Sequence, residues 1–333
     1  MRCSYCGAPL DLSPDSVVVV CRYCGFVNFV VGDPSEVLAV PTLPSGEVVK
    51  KAVERTRRDF NLRFRMSKIN FAAPQLVYLP FYFVNVDIIA IYSARVLVTY
   101  SRSVYRGGRW TTHTGSRRVD VSGRVGYRDV VGVLARKAAW GLSVDRLLSH
   151  FFKTAPTPTA LKEVTTSQEI ARAFMTSEYT PEQAKAKAVR ASMPKILKAV
   201  DDDAKSKAMS RVSGVPTNAS VLDKTVDYEV RELNVSKLTY LPMWVVPYYF
   251  EESVYKYYVA GWDGRVIVAE EPSFIEHKLA SAVGAAAAGG AVGGFGLSVL
   301  PFDLVVGAFM VGMGGYLSYL AARGLVKPRR VET

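Results

Sequence analysis

Apolar residues along the chain change period several times, and each change marks an element. From Ser45, which can cap a helix, Val48, Ala52, Val53 and Thr56 recur at helical spacing to about Phe60. Residues 75–105 are dense in Val, Ile, Tyr and Phe and read as strands. Gly107-Gly108 marks a turn, and residues 109–133 read as a second, Arg-rich pair of strands with turns at Gly115-Ser116 and Gly123. Val131, Leu134, Ala138, Leu142, Leu147 and Leu148 suggest a helix over 130–153, and the Thr- and Pro-rich residues 154–166 a loop. Thr180-Pro181-Glu182 is a strong helix start. Val189, Met193, Ile196, Leu197, Val200 and Ala204 give that helix its apolar stripe to about Arg211, with Pro194 placed to kink or divide it. Residues 221–270 return to strands, and Gly261-Trp262-Asp263-Gly264-Arg265 is a hairpin turn. Tyr78-Leu79-Pro80-Phe81-Tyr82 resembles Tyr240-Leu241-Pro242-Met243-Trp244, which fits either a duplicated β unit or two unrelated strands that begin alike.

At 333 residues the chain has room for about two ordinary domains. With 49% hydrophobic and 22% charged residues it is not a disordered chain. Mean hydropathy is +0.12, raised by one apolar segment. From Leu279 to Ala322 the only charge is Asp303. The run splits at Pro301-Phe302-Asp303 into Leu279–Leu300, roughly 33 Å long as a helix, and Leu304–Ala322, and predicts a two-helix transmembrane hairpin. Gly289/Gly293, Gly290/Gly294 and Ala308/Gly312 have the small-xxx-small spacing that lets helices approach closely, within the hairpin or in a homo-oligomer. Lys278 before the run and Arg323, Lys327, Arg329 and Arg330 after it place both termini in the cytoplasm of a multi-pass cell-membrane protein. Secretion is not expected, because Met1-Arg2-Cys3 runs straight into a cysteine motif.

Cys3-Ser4-Tyr5-Cys6-Gly7 and Cys21-Arg22-Tyr23-Cys24-Gly25 are two knuckles, with 14 residues between Cys6 and Cys21. Four thiolates so spaced can close a tetrahedron around Zn²⁺, and the glycines allow the tight turns that aim amides at the sulfurs. Disulfides and an iron–sulfur cluster are the alternatives; a cytoplasmic location disfavours disulfides. Four protein ligands leave no open position, so the zinc is expected to be structural.

The net charge of +12 is localised. Residues 45–68 carry Lys50, Lys51, Arg55, Arg57, Arg58, Arg63, Arg65 and Lys68 against Glu47, Glu54 and Asp59, net +5. Residues 95–128 carry Arg95, Arg102, Arg106, Arg109, Arg117, Arg118, Arg124 and Arg128 against Asp120, net +7, so these two windows hold the whole excess. In the second, the arginines alternate with Tyr100, Tyr105, Trp110, His113 and Tyr127. Such a layer can bind phosphates and stack bases, lie on anionic lipid or an acidic protein, or be a solvated sheet face. Asp201-Asp202-Asp203 reads as the polar face of a helix with Lys198, Lys205 and Lys207 in reach. His113, His150 and His277 show no nucleophile or acid beside them, and the chain has no phosphate-binding glycine loop.

Residues 1–30 resemble the zinc ribbon of transcription factor B and of many RNA polymerase and ribosomal proteins. The whole-chain pattern resembles a poorly characterised family of prokaryotic zinc-ribbon membrane proteins. Its matching pieces here are the knuckles, the two Tyr-Leu-Pro-aromatic segments, and the Gly-Trp-Asp-Gly-Arg hairpin with Glu271-Pro272-Ser273 after it. The resulting expectation is an α+β protein: a zinc ribbon (1–32), a linker and basic helix (33–74), an antiparallel β-rich domain with helices (75–275), the transmembrane hairpin (276–325) and a basic tail (326–333). Its expected function is that of a membrane-anchored, non-enzymatic adaptor that recruits a cytosolic partner. The alternative is an RNA-, DNA- or ribosome-binding factor held at the membrane.

Overall fold

The computed structural model describes residues 1–11, 18–29, 37–59, 62–137, 139, 142–164, 170, 172–272, 291, 294, 297–298, 310–313, 315–316 and 329–332. In chain order the elements are β1 (Val18–Val20), β2 (Val27–Phe29), β3 (Leu38–Ala39), α1 (Ser45–Arg58), a 3-10 helix (Arg63–Lys68), β4 (Ile69–Phe71), β5 (Gln75–Arg106), β6 (Arg109–Leu134), α2 (Val144–Thr154), β7 (Thr159–Ala160), α3 (Leu161–Val164), α4 (Pro181–Ser210), β8 (Val215–Val235), β9 (Thr239–Phe250), β10 (Ser253–Ala260), β11 (Val266–Glu271) and β12 (Arg329–Glu332). The protein is mixed α/β, with a large, mostly antiparallel sheet and a separate two-stranded β1–β2 sheet. It divides into two compact units, each built from non-contiguous segments: 1–41, 77–144 and 155–242 form the first, and 42–76, 145–154 and 243–333 the second.

The first unit is organised by β5, paired antiparallel with β6 on one side and β8 on the other. Its side chains alternate as a strand demands. Val84, Val86, Ile88, Ala90, Tyr92, Ala94, Val96 and Val98 are buried, whereas Asn85, Ile91, Ser93 and Arg95 are exposed. Helix α4 packs on β6 and β8. A capping box starts it: Thr180 Oγ1 accepts from the Gln183 amide and Gln183 Oε1 accepts from the Thr180 amide. Its buried side is Ala184, Ala188, Ser192, Ile196, Val200, Ala204 and Ala208, a row at spacing four. Such a row precesses by about 40° per step around the helix, which suits a twisted sheet. The apolar pattern located Ile196, Val200 and Ala204; Val189, Met193 and Leu197 are only half-buried. Small alanines form most of the packed face. Pro194 lies inside one continuous helix and does not divide it.

Two Tyr–Asp–Lys triads pin α4 in place. Tyr92 donates to Asp203 (2.6 Å), which also receives Lys207 (2.8 Å). Tyr127 donates to Asp129 (2.7 Å), which receives Lys195 of α4 (2.8 Å). Lys224 of β8 bonds Asp201 at 2.5 Å. The acidic triplet is thus the polar face of a helix, as its composition suggests.

Three boundaries differ from the expected ones. Strand β6 is a single strand and not two, because Gly115 and Gly123 are strand positions rather than turns. Each faces a tyrosine of β5 in register, Tyr100 and Tyr92. A Cβ on either glycine would meet that ring at 3.0 and 2.9 Å, so the absent side chain makes room for the ring. The strand reaches Leu134, which confines α2 to Val144–Thr154. Ser45 is the first residue of α1 and not its cap; Pro44 holds the cap position. The Gly107-Gly108 turn is as expected, both residues at positive φ between paired strands.

The second unit packs α1 on a β9–β10–β11 antiparallel meander, through Val48, Ala52, Trp244, Val246, Tyr248, Tyr257, Val259, Val266 and Ala269. Its polar groups are satisfied inside: Trp244 donates to Thr42 (2.8 Å), Tyr248 to the Glu270 carbonyl (2.7 Å), and Thr56 and Tyr257 share a hydrogen bond (3.1 Å). The Asp263-Gly264 hairpin joins β10 and β11 as predicted.

The expected two-helix membrane hairpin, and the multi-pass membrane location and lipid anchoring built on it, are corrected here. Among the described residues no helix is long and apolar enough to cross a membrane. Most of Leu279–Ala322, including Gly289, Gly290, Gly293 and Ala308, lies outside the described residues. At Gly294, Gly312 and Gly315 an added Cβ would meet no described residue within 4 Å. The first stretch is mostly Ala and Gly, and glycine costs helix stability. Arg329 and Arg330, expected as a cytoplasmic flank, lie on β12, antiparallel to β11.

The triads carry a pH prediction. Burial pushes Asp129 and Asp203 up, but Lys195 and Tyr127 at the first, and Lys207 and Tyr92 at the second, outweigh it and hold both below the usual aspartate range. A carboxyl lowered on folding stabilises the protein above its unfolded pKa, about 4, and loses that contribution as pH falls. The double substitution Asp129→Asn, Asp203→Asn is expected to flatten the loss of stability between about pH 5 and pH 2 in urea unfolding. An unchanged acid limb would contradict the assignment.

Candidate metal centre and basic hairpin

The two cysteine knuckles fold alike. In each, the glycine sits at positive φ, +74° at Gly7 and +73° at Gly25, and its amide donates to the first cysteine carbonyl, at 3.0 Å to Cys3 and 2.8 Å to Cys21. The first cysteine amide then closes the turn onto Ala8 and Phe26. A β1–β2 hairpin and a small core of Cys3, Leu10, Val19 and Cys21 bring the knuckles together. The four sulfurs lie within 4.8 Å of one another, with Cys3–Cys24 at 3.6 Å and Cys6–Cys21 at 3.7 Å. Four sulfurs each about 2.3 Å from one ion in a tetrahedron stand about 3.8 Å apart, so the donor set fits a single thiophilic cation. These separations are too long for disulfide bonds.

The surroundings are tuned unevenly. Burial pushes the Cys3 thiol up, but the Cys6 and Tyr5 amides, Asn28 and Cys24 outweigh it and bring it down to about 6. The Cys24 amide leads in lowering Cys21 against its burial. Burial, with the three neighbouring sulfurs, pushes Cys24 up to about 12. Four adjacent thiols therefore do not ionise together by themselves, and a bound dication would supply the missing charge.

Sequence spacing missed Asn28. It is buried, accepts from the Ser4 amide (2.9 Å) and hydroxyl (3.0 Å), and donates to Cys3 Sγ (3.5 Å) and the Phe26 carbonyl (2.9 Å). One side chain thus ties both knuckles. Its only sequence signal is an amide between the apolar Val27 and Phe29. From the rest of the first unit, Arg172 donates to the Cys24 carbonyl at 3.0 Å and packs over Gly25, where a Cβ would clash.

The two basic windows lie in different units. On the sheet, alternation and pairing sort the arginines. Arg95 pairs with Asp120 (3.1 Å), Arg124 with Glu229 (3.5 Å) and Arg128 with Asp87 (2.5 Å), across neighbouring strands. Arg102, Arg109, Arg117 and Arg118 are exposed and make no ion pair with a described residue. Arg117 and Arg118 lie opposite Val98 and Leu97, which β8 still flanks; Arg102 and Arg109 sit where β5 and β6 approach the Gly107-Gly108 turn, past Ser101, the last residue of β5 that β8 pairs. Tyr105 and Trp110 face each other there, 59% and 73% exposed, ring centroids 5.2 Å apart. Arg106 lies at the turn, opposite Arg109. In the other window Arg57 and Arg58 are exposed on α1, Arg63 stacks over Phe64 at 4.4 Å, and Arg65 is half-buried.

His150 does have an acid beside it. Nearly buried on α2, its Nε2 lies 2.7 Å from Asp263 Oδ2, and its ring stacks on Trp262 at 5.4 Å. The partners are 113 residues apart, beyond any local motif.

Comparisons with protein-family models, with curated proteins and with solved structures find no match. The likeness to a zinc ribbon therefore stands on the four gathered cysteines, and nothing supports the named membrane-protein family.

Removing Asn28 tests the tie between the knuckles. Asn28→Ala is expected to weaken metal affinity about 10–100-fold, measured by competition with a chromogenic chelator. Cys21→Ser is expected to abolish stoichiometric binding. Undiminished binding in Cys21→Ser would rule out the four-cysteine centre.

Proposed function

We propose that the protein is a non-enzymatic, zinc-stabilised binding protein whose β5–β6 hairpin end engages single-stranded RNA or DNA. Zinc held by Cys3, Cys6, Cys21 and Cys24 has no open coordination position, so its contribution is to fix the ribbon. The observation that carries the reading is the Tyr105–Trp110 pair left open to solvent on a hairpin whose exposed arginines Arg102, Arg109, Arg117 and Arg118 make no ion pair with a described residue. A tryptophan exposed to this degree adds nothing to the core, and its face suits stacking on a base. The guanidiniums without an ion pair to a described residue, Arg118 on the same face of the ribbon and Arg102, Arg109 and Arg117 on the other, suit phosphate oxygens in bidentate geometry along a strand that wraps this end. The paired arginines Arg95, Arg124 and Arg128 belong to the sheet in this reading. So the binding set is narrower than the basic window: Arg102, Arg109, Arg117 and Arg118 with the two aromatics.

Fluorescence anisotropy with labelled oligouridylate and oligothymidylate tests it. Trp110→Ala is expected to weaken binding about 5- to 150-fold, the range for loss of one stacked base. Replacing Arg102, Arg109, Arg117 and Arg118 by Gln is expected to reduce the slope of log affinity against log salt by about 0.7 for each phosphate no longer neutralised. Arg95→Gln is expected to leave the slope unchanged. Absence of binding at low salt, or binding indifferent to Trp110→Ala, would overturn the proposal and return the hairpin to an adaptor role toward an acidic protein.

A further inference from the structure

The second unit contains a cleft of about 400 Å³, within the size range of small-ligand sites. One wall is α1, which offers Lys51, Glu54, Arg55 and Arg58 from one stripe of the helix. The other is the β10–β11 turn, with Asp263, Gly264, Arg265 and Val266. The turn is drawn tight against α1. Gly264 lies at φ +72°, and a Cβ there would stand 3.0 Å from Lys51 Cγ and 3.2 Å from Leu43 Cδ1. Leu43 anchors the turn by donating its amide to the Gly261 carbonyl at 2.8 Å.

Its charges are not equally available. Arg55 is bound to the buried Glu271 at 3.1 Å and stands 4.0 Å from Asp59. Asp263 is engaged twice, by His150 through Oδ2 and by the Arg265 amide through Oδ1 at 3.0 Å. That leaves Lys51, Arg58 and Arg265, all exposed and without an ion pair to a described residue, on both walls of one cleft. Glu54 is the lining carboxylate without an ion pair to a described residue.

We propose that this cleft binds a phosphomonoester. One carboxylate would be satisfied by one arginine, whereas three cations on facing walls match a doubly charged, three-oxygen group. Arg58 and Arg265 take the phosphate oxygens from opposite walls, Lys51 adds a point charge, and Glu54 accepts from a ligand hydroxyl. His150, stacked on Trp262 and bonded to Asp263, is a positioning residue that turns the Asp263 charge away from the ligand. This site is separate from the β5–β6 hairpin and stands whether or not the hairpin binds nucleic acid.

The test is calorimetric titration of the full, zinc-loaded chain with inorganic phosphate, then with adenosine monophosphate. Saturable phosphate binding is expected, weakened about tenfold or more by Arg58→Gln and by Arg265→Gln, as for loss of a charged hydrogen bond. Arg57→Gln, on the same helix but outside the cleft, is expected to leave it unchanged. Two oligothymidylates, with and without a 5′-phosphate, identify the source of the ester. Displacement of phosphate by the monophosphate alone indicates a free metabolite. Displacement by the 5′-phosphorylated oligomer but not its unphosphorylated twin indicates a nucleic-acid end. Either supports the phosphomonoester site. Absence of saturable binding at millimolar phosphate, or binding unaffected by both cleft substitutions, would overturn it.

Discussion

The two-residue alternation of β5 is the constraint on which the first unit depends. From Val84 to Val98 every second side chain is buried. A shift of one residue would place Asn85, Ser93 and Arg95 in the core and leave Ile88 and Val96 in water. The same register puts Tyr92 under Asp203 of α4, sets Tyr92 and Tyr100 across Gly123 and Gly115, and aligns Arg95 with Asp120. Core, helix docking and surface ion pairs therefore follow from one alignment.

It also separates two kinds of arginine. Where β8 lies alongside, its acids and those of the hairpin neutralise Arg95, Arg124 and Arg128. Arg102 and Arg109 lie past the end of β8, and Arg117 and Arg118 lie opposite Val98 and Leu97, where β8 offers Ala219 and Ser220 and no acid, so all four stay without an ion pair to a described residue. A net charge counted along the sequence cannot make this distinction, because the carboxylates that answer Arg124 and Arg128 lie 105 and 41 residues away.

Features fixed by neighbouring residues were legible. The cysteine knuckles, the Thr180-Pro181-Glu182 helix start, the Gly107-Gly108 turn and the Asp263-Gly264 hairpin each depend on a few adjacent residues, and all are found where the spacing put them. Features fixed by distant partners were not. Gly115 and Gly123 look like turns until the tyrosines that cover them are known. The alanine row of α4 looks weak until the sheet it meets is known. Asn28 and the His150–Asp263 pair acquire meaning only in three dimensions. The apolar C-terminal run is a different case: most of it lies outside the described residues, and no described helix meets the length and apolarity that a membrane crossing requires.

The most direct test of the β5 register compares two isoleucines three positions apart on opposite faces. Ile88 is fully buried and Ile91 is 40% exposed. In urea unfolding, Ile88→Ala is predicted to cost about 2–5 kcal/mol, and Ile91→Ala less than about 1 kcal/mol. Equal losses, or a larger loss at Ile91, would mean that β5 does not present these faces, and the sorting of arginines built on it would fail.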